Sequence, residues 1–129
     1  MSRILIADDN QQNMYLVRFL LERAGYDVDE VENGKLAVEA CEKTRYDLVL
    51  MDIQMPVMDG LEATRIIKRF KPAPLIVALT AFAMKEDIDS FFSAGCDGYI
   101  TKPIETNAFM ENIADYIKKA KDISAEASR

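Results

Sequence analysis

With 129 residues the chain is long enough for one domain that buries its own core. Half of the residues are apolar and 29% are charged, which excludes a disordered composition, and no apolar run approaches the ~20 residues a membrane helix needs. The net charge of −6, with Lys and Arg scattered, argues against direct nucleic-acid binding; with no membrane segment or secretory leader, a cytoplasmic location is expected.

Ile4 to Ala7 is an unbroken apolar run that stops at Asp8-Asp9, the pattern of a parallel strand covered on both faces. Asn10 can cap the helix that follows, where Met14, Val17, Leu21 and Ala24 recur at spacings of three and four before Gly25 ends it. Asp27 to Glu32 reads as a second strand, and Leu36 to Lys43 as a helix approached through Asn33-Gly34. Leu48 to Met51 is a third strand, ending at Asp52. A third helix is expected over Leu61 to Phe70, stopped by Lys71-Pro72-Ala73-Pro74. The fourth strand spans Leu75 to Leu79 and ends at Thr80, and its helix runs from Lys85 to Ala94, closed by Gly95. Gly98-Tyr99-Ile100 forms a short fifth strand ending at Thr101-Lys102. The last helix carries Phe109, Ile113, Tyr116, Ile117 and Ala120 on one face, and Asp122 to Arg129 reads as a flexible tail behind a domain of residues 1–121. Five strand–helix units in series predict an α/β fold, a parallel sheet with helices on both sides.

The polar residues that follow the strands carry the chemistry. Asp8 and Asp9, Asp52, Thr80 and Lys102 would share the carboxyl edge of such a sheet, where ligands bind. Three carboxylates in one pocket repel each other unless a cation is present, and an oxygen-only donor set favours a hard ion such as Mg²⁺. Lys102 adds a positive charge suited to a phosphoryl oxygen and Thr80 a neutral donor, so the set suits phosphoryl transfer. The chain has no histidine, which excludes Ser–His–Asp and Cys–His catalysis and the common His-containing zinc sites. Cys41 and Cys96, far apart and outside any CxxC pattern, read as small buried apolar residues in a reducing compartment.

Four motifs stand at these positions: Ile-Ala-Asp-Asp-Asn (6–10), Met-Asp-Ile-Gln-Met-Pro-Val-Met-Asp-Gly (51–60), Leu-Thr-Ala (79–81) and Tyr-Ile-Thr-Lys-Pro (99–103). In that order and spacing, from about Arg3 to Lys118, the sequence resembles the receiver domain of two-component response regulators. The resemblance implies a (βα)5 flavodoxin-like three-layer sandwich with strand order 2-1-3-4-5. It implies a phosphoacceptor signalling switch of a two-component or phosphorelay system, a regulatory domain that assists its own phosphorylation and dephosphorylation rather than an enzyme. Asp52 would take a phosphoryl group from a phosphohistidine on a histidine kinase or histidine phosphotransferase. Asp8, Asp9, Asp52 and the Gln54 backbone carbonyl would hold Mg²⁺, with Mn²⁺ as a substitute. Lys102 and Thr80 would contact the phosphoryl group, Thr80 and Tyr99 would form the switch, and Pro56, Gly60 and Pro103 would shape the loops, Pro103 after a cis peptide. A downstream protein would read the surface of helix four, strand five and helix five, and the phosphate donor would dock near Asn10 to Met14. Gln54 and Phe82 occupy positions that influence hydrolysis in this family, and a bulky Phe82 is expected to lengthen the life of the phosphate. Phe91, Phe92 and the methionines at 51, 55 and 58 are expected to be core or loop packing. The stretch Leu-Thr-Ala-Phe-Ala-Met-Lys (79–85) resembles stand-alone, cell-cycle-type receivers, either monomeric or paired on phosphorylation.

Two other chemistries share parts of this pattern. An aspartate-nucleophile phosphohydrolase of the haloacid-dehalogenase type uses Asp, Thr, Lys and Mg²⁺, but Gln54 stands where its acid–base Asp belongs. A flavodoxin-like cofactor carrier shares the fold, but its phosphate would meet Asp8-Asp9-Asn10, an acidic loop. A degenerate receiver acting only as a binding module would lack part of the residue set, which is complete here.

Overall fold

The computed structural model describes residues 2–81 and 83–127, with side chains as far as Ile123. Strands β1 (Arg3–Ala7), β2 (Asp27–Val31), β3 (Leu48–Asp52), β4 (Leu75–Thr80) and β5 (Gly98–Thr101) alternate with helices α1 (Gln11–Arg23), α2 (Gly34–Lys43), α3 (Gly60–Ile67), α4 (Lys85–Ala94) and α5 (Thr106–Ala127). All strand pairings are parallel and the order across the sheet is β2-β1-β3-β4-β5.

Alternation along the central strands divides the core into two layers. Ile4, Ile6, Leu48, Leu50, Val77 and Leu79 face α1 and α5, where Val17, Leu21, Phe109 and Ile113 pack on them. Leu5, Val49, Met51 and Ile76 face the other way, towards Ala37 and Val38 of α2, Ala63 and Ile67 of α3 and Phe91 of α4. Strands β3 and β4 are buried along their whole length, which is why they read as continuous apolar runs. A fully buried Leu or Ile contributes ~2 kcal/mol, so these strands anchor the residues at their ends. Strand β2, at the edge, keeps only Val28 buried and carries Asp27, Asp29 and Glu30 into solvent, a charged edge that discourages further pairing.

Helix starts follow the expected chemistry. Asn10, Asn33 and Asp59 each accept a backbone N–H three residues on, from Asn13, Leu36 and Glu62 at 3.0, 2.8 and 2.9 Å. Helix α2 begins at Gly34, two residues before the sequence places it, because Asn33 is already its cap. Helix α3 stops at Ile67 rather than Phe70. Arg69 and Phe70 donate to Ile66 and Ile67, three residues back, which tightens the chain into turns. Lys68 meanwhile reaches the Pro74 carbonyl at 2.8 Å and Asp97 at 2.6 Å. Helix α5 continues past residue 121 to Ala127, so the stretch read as a tail is helical as far as that residue.

Candidate functional site

Because the strands run in parallel, Ala7, Asp52, Thr80 and Thr101 end at one edge of the sheet. Asp8 leaves β1 with its N–H on the Val31 carbonyl, and its Oδ1 accepts the Asn10 N–H at 2.8 Å. These bonds tie its side chain inside the cleft, where the residue is 1% exposed, while Asp9 beside it is exposed. Asp52, 7% exposed at the tip of β3, accepts the Gln54 N–H at 3.3 Å. Lys102 places Nζ 3.5 Å from Asp8 Oδ2 and 3.4 Å from Asp52 Oδ2, and its own N–H bonds the Thr80 carbonyl at 2.8 Å. Thr80 is buried at the end of β4. Asp9, Asp52, Gln54, Thr80 and Lys102 therefore line one hollow of about 410 Å³.

One carboxylate oxygen from each of Asp8, Asp9 and Asp52 lies within 4.8 Å of the others. Among the described residues, the ammonium of Lys102 is what stands against these three negative groups. Burial pushes the Asp52 carboxyl up to about 6 and the neighbouring Asp8 carboxylate adds to the rise, with Lys102 opposing it. Excess negative charge, oxygen donors alone and short mutual distances fit a hard divalent cation, which would relieve the crowding that Lys102 offsets only in part.

The loop after Asp52 is held close. Gly60 donates to the Ile53 carbonyl at 3.0 Å, and a Cβ at Gly60 would run into the Asp52 carbonyl and the Met51 side chain. Met58 N–H bonds the Pro56 carbonyl at 2.7 Å around Val57, whose φ is 71°, a γ-turn of the rare, strained hand. The Met58 carbonyl then accepts the Gly34 N–H at 3.0 Å, tying the loop to the start of α2. Any Cβ at Gly34 would collide with that carbonyl, a constraint the Asn33-Gly34 pair does not announce. The Lys102–Pro103 peptide is cis, as is Lys71–Pro72.

Tyr99 stands apart from the carboxylates. It is half-buried on β5 against the core layer of α2, α3 and α4, its ring centroid 6.4 Å from that of Phe91. Phe91 is buried as expected, whereas Phe92 is 48% exposed and not packed in the core. The reason is helical geometry, since adjacent residues on a helix point about 100° apart. Met51 is buried, and Met55 and Met58 pack partly against the core. Cys96 is buried, Cys41 is only half-buried, and both thiols are free. Asn13 and Asp87 also line the hollow; neither carries a sequence signal beyond its place in the first turn of a helix. Phe82 lies outside the described residues.

Residues 4–114 match the response regulator receiver domain family. The polar-differentiation response regulator DivK of Brucella anthropi is 41% identical over 120 residues, which span 91% of this chain and 97% of that protein. The receiver domain of the sensor histidine kinase PA1611 from Pseudomonas aeruginosa, solved with magnesium coordinated in its active-site cleft, matches with a TM-score of 0.84. It is 34% identical, covering 91% of this chain and 98% of that one. A chain of the Saccharomyces cerevisiae co-crystal structure of the histidine phosphotransfer protein Ypd1 and the receiver domain of Ssk1 matches with a TM-score of 0.84 at 30% identity, over 89% of this chain and 88% of that one. The strand order, the nearly full-length family match and relatives of the same size lead to one result: this chain belongs to the response regulator receiver domains of two-component signalling.

Proposed function

We propose that Asp52 is the phosphoacceptor of this receiver and that Asp8, Asp9, Asp52 and the Gln54 carbonyl hold Mg²⁺, with Mn²⁺ as a substitute. The observation that carries this reading is the convergence of three carboxylates with Lys102 bridging two of them at 3.4 and 3.5 Å. A bound divalent cation would screen the carboxylates from the incoming phosphoryl oxygens. A carboxylate oxygen of Asp52 attacks the phosphorus of a partner's phosphohistidine. The new P–O bond forms as the P–N bond breaks, and the imidazole nitrogen keeps the electron pair and takes up a proton. Lys102 neutralises charge on the transferring group, and the Thr80 hydroxyl donates to one of its oxygens.

The product adds roughly −1.5 to −2 charge and three acceptor oxygens at the tip of β3. Thr80 is drawn towards them and Tyr99 turns inward behind it, altering the face of α4, β5 and α5 that a downstream protein reads. Pairing of two chains through that face on phosphorylation belongs to the same proposal. The phosphate donor, a histidine kinase or histidine phosphotransferase, docks beside α1. Tyr15 and Phe19 support this, being 73% and 50% exposed and four residues apart on the helix that begins at the site. Among the described residues no helix is long and apolar enough to cross a membrane, and we place the protein in the cytoplasm with its donor. Direct nucleic-acid binding has no place in this scheme, given the acidic chain.

Intact mass after incubation with a small phosphoryl donor tests the reading. Gain of one phosphoryl group with Mg²⁺, lost in EDTA and in Asp52→Asn, is the expected result. No gain in folded wild-type protein would overturn it in favour of a binding module.

A further inference from the structure

A second hollow, of about 450 Å³, lies at the opposite end of the sheet, between the α2–β3 loop, the α3–β4 loop and the later turns of α5. Its wall is apolar, built from Tyr46, Phe70, Pro72, Pro74, Leu75 and Ile123. The volume falls within the range of small-molecule sites. Lys43, Arg45 and Lys71 stand around it with two acids, Glu42 and Asp47. The carboxylate of Asp47 already accepts the Arg3 N–H at 2.9 Å. Among the described residues neither Lys43 nor Lys71 makes an ion pair. In a chain of net charge −6, the described residues around this hollow include three bases and two acids, a local reversal of sign.

We propose that this hollow binds a small organic anion with an apolar body, such as an aromatic or medium-chain carboxylate. Its body would lie against Phe70, Leu75 and Ile123, and its charge would face Lys43 and Lys71. The site is separate from the phosphoryl-transfer site, because Asp47, just before β3, and Asp52, at its end, are five residues apart, about 16 Å at ~3.3 Å per residue.

Anilinonaphthalene sulfonate, which combines an apolar body with one negative charge, is the probe, titrated into the full chain while fluorescence and amide NMR shifts are followed. Saturable binding is expected, with shifts confined to residues 41–47, 70–75 and 120–123 and displacement by decanoate. Lys43→Glu with Lys71→Glu changes two exposed side chains. In that variant the anionic probe should bind about fivefold or more weakly, while the uncharged probe phenylnaphthylamine binds as before. Absence of saturable binding, shifts elsewhere such as the exposed face of α1, or equal affinity for the charge-reversed variant would overturn the proposal. So would lining-residue shifts that appear on concentrating the protein alone, which would identify a second copy of the chain as the occupant.

Discussion

Replacing Asp52 by Asn should stabilise the metal-free protein, although it removes the residue on which the proposed function turns. Burial and the Asp8 carboxylate raise the Asp52 carboxyl from 3.8 to about 6. Two units at ~1.36 kcal/mol each mean that ionised Asp52 opposes folding by about 3 kcal/mol above pH 6. Asn keeps an oxygen for the Gln54 N–H but leaves Lys102 one charged partner instead of two. The net gain should therefore be about 1–2 kcal/mol, or roughly 4–8 °C in melting temperature for a domain of this size. Between about pH 4 and 6 the folded chain holds a proton on Asp52 that the unfolded chain has released. Wild-type stability consequently falls as pH rises through that window, and the advantage of the variant grows through it. Urea unfolding in EDTA near pH 8 and near pH 4 measures both ends. Adding Mg²⁺ at about ten times its dissociation constant should return ~1.4 kcal/mol to the wild type and far less to the variant. A variant no more stable than the wild type in EDTA near pH 8, or one whose advantage persists undiminished near pH 4, would refute the charge-crowding argument.

Gly60→Ala should cost about 2 kcal/mol or more, because the added methyl meets the Asp52 carbonyl and the Met51 side chain; an unchanged urea midpoint would show that the loop yields freely. Val57→Asn should raise stability by about 1 kcal/mol, since Val57 holds φ at 71° while 78% exposed and so has little packing to lose. A thermal melt without a gain would mean that the γ-turn carries no strain. Tyr46→Phe removes a 2.7 Å hydrogen bond to Asp29 and should cost about 1 kcal/mol at neutral pH. Burial, with help from Asp29, pushes the Tyr46 hydroxyl from 10.0 up to about 12. Its contribution is therefore complete below about pH 10 and lost as pH rises through about 12, so Tyr46→Phe should unfold less steeply in that window. An identical alkaline limb in both proteins would contradict this.

Where the sequence reading succeeded, a local pattern and a long-range constraint coincided. Leu48 to Met51 is apolar without interruption because β3 is covered on both faces, and Asp52, still buried, closes the strand at the edge where the site lies. The cap Asn10 works within three residues and was legible for that reason, whereas Asn33, read only as part of the approach to α2, proves to be its cap. Gly34 was not legible, since what excludes a side chain there is the Met58 carbonyl, more than twenty residues further on. Lys68 misled the α3 boundary in the same way: apolar periodicity continues to Phe70, but the ammonium is drawn to Asp97 and Pro74 by bonds that close only in the folded chain. Phe91 and Phe92 look alike in sequence, and only the rotation of α4 against the sheet decides that one is buried and the other exposed.

The same geometry suggests how an event at Asp52 would reach the far face. The Ile53 N–H bonds the Leu79 carbonyl at 3.3 Å and the Lys102 N–H bonds the Thr80 carbonyl at 2.8 Å. The ends of β3, β4 and the β5–α5 loop are thus joined by main-chain hydrogen bonds across one edge. A pull on the Thr80 side chain acts on a residue whose carbonyl already holds Lys102. Tyr99 lies on the adjacent strand, paired through Ala78, and its ring borders Phe91 of α4. A phosphoryl group on Asp52, as proposed, would act on two groups, the Lys102 ammonium in the β5–α5 loop and the buried Thr80 at the end of β4. Helix α4 opens at Met84 without a side-chain cap, unlike α1, α2 and α3. Its first turn relies instead on the acids Glu86 and Asp87, and in the proposed switch α4 is the element that would shift with Tyr99.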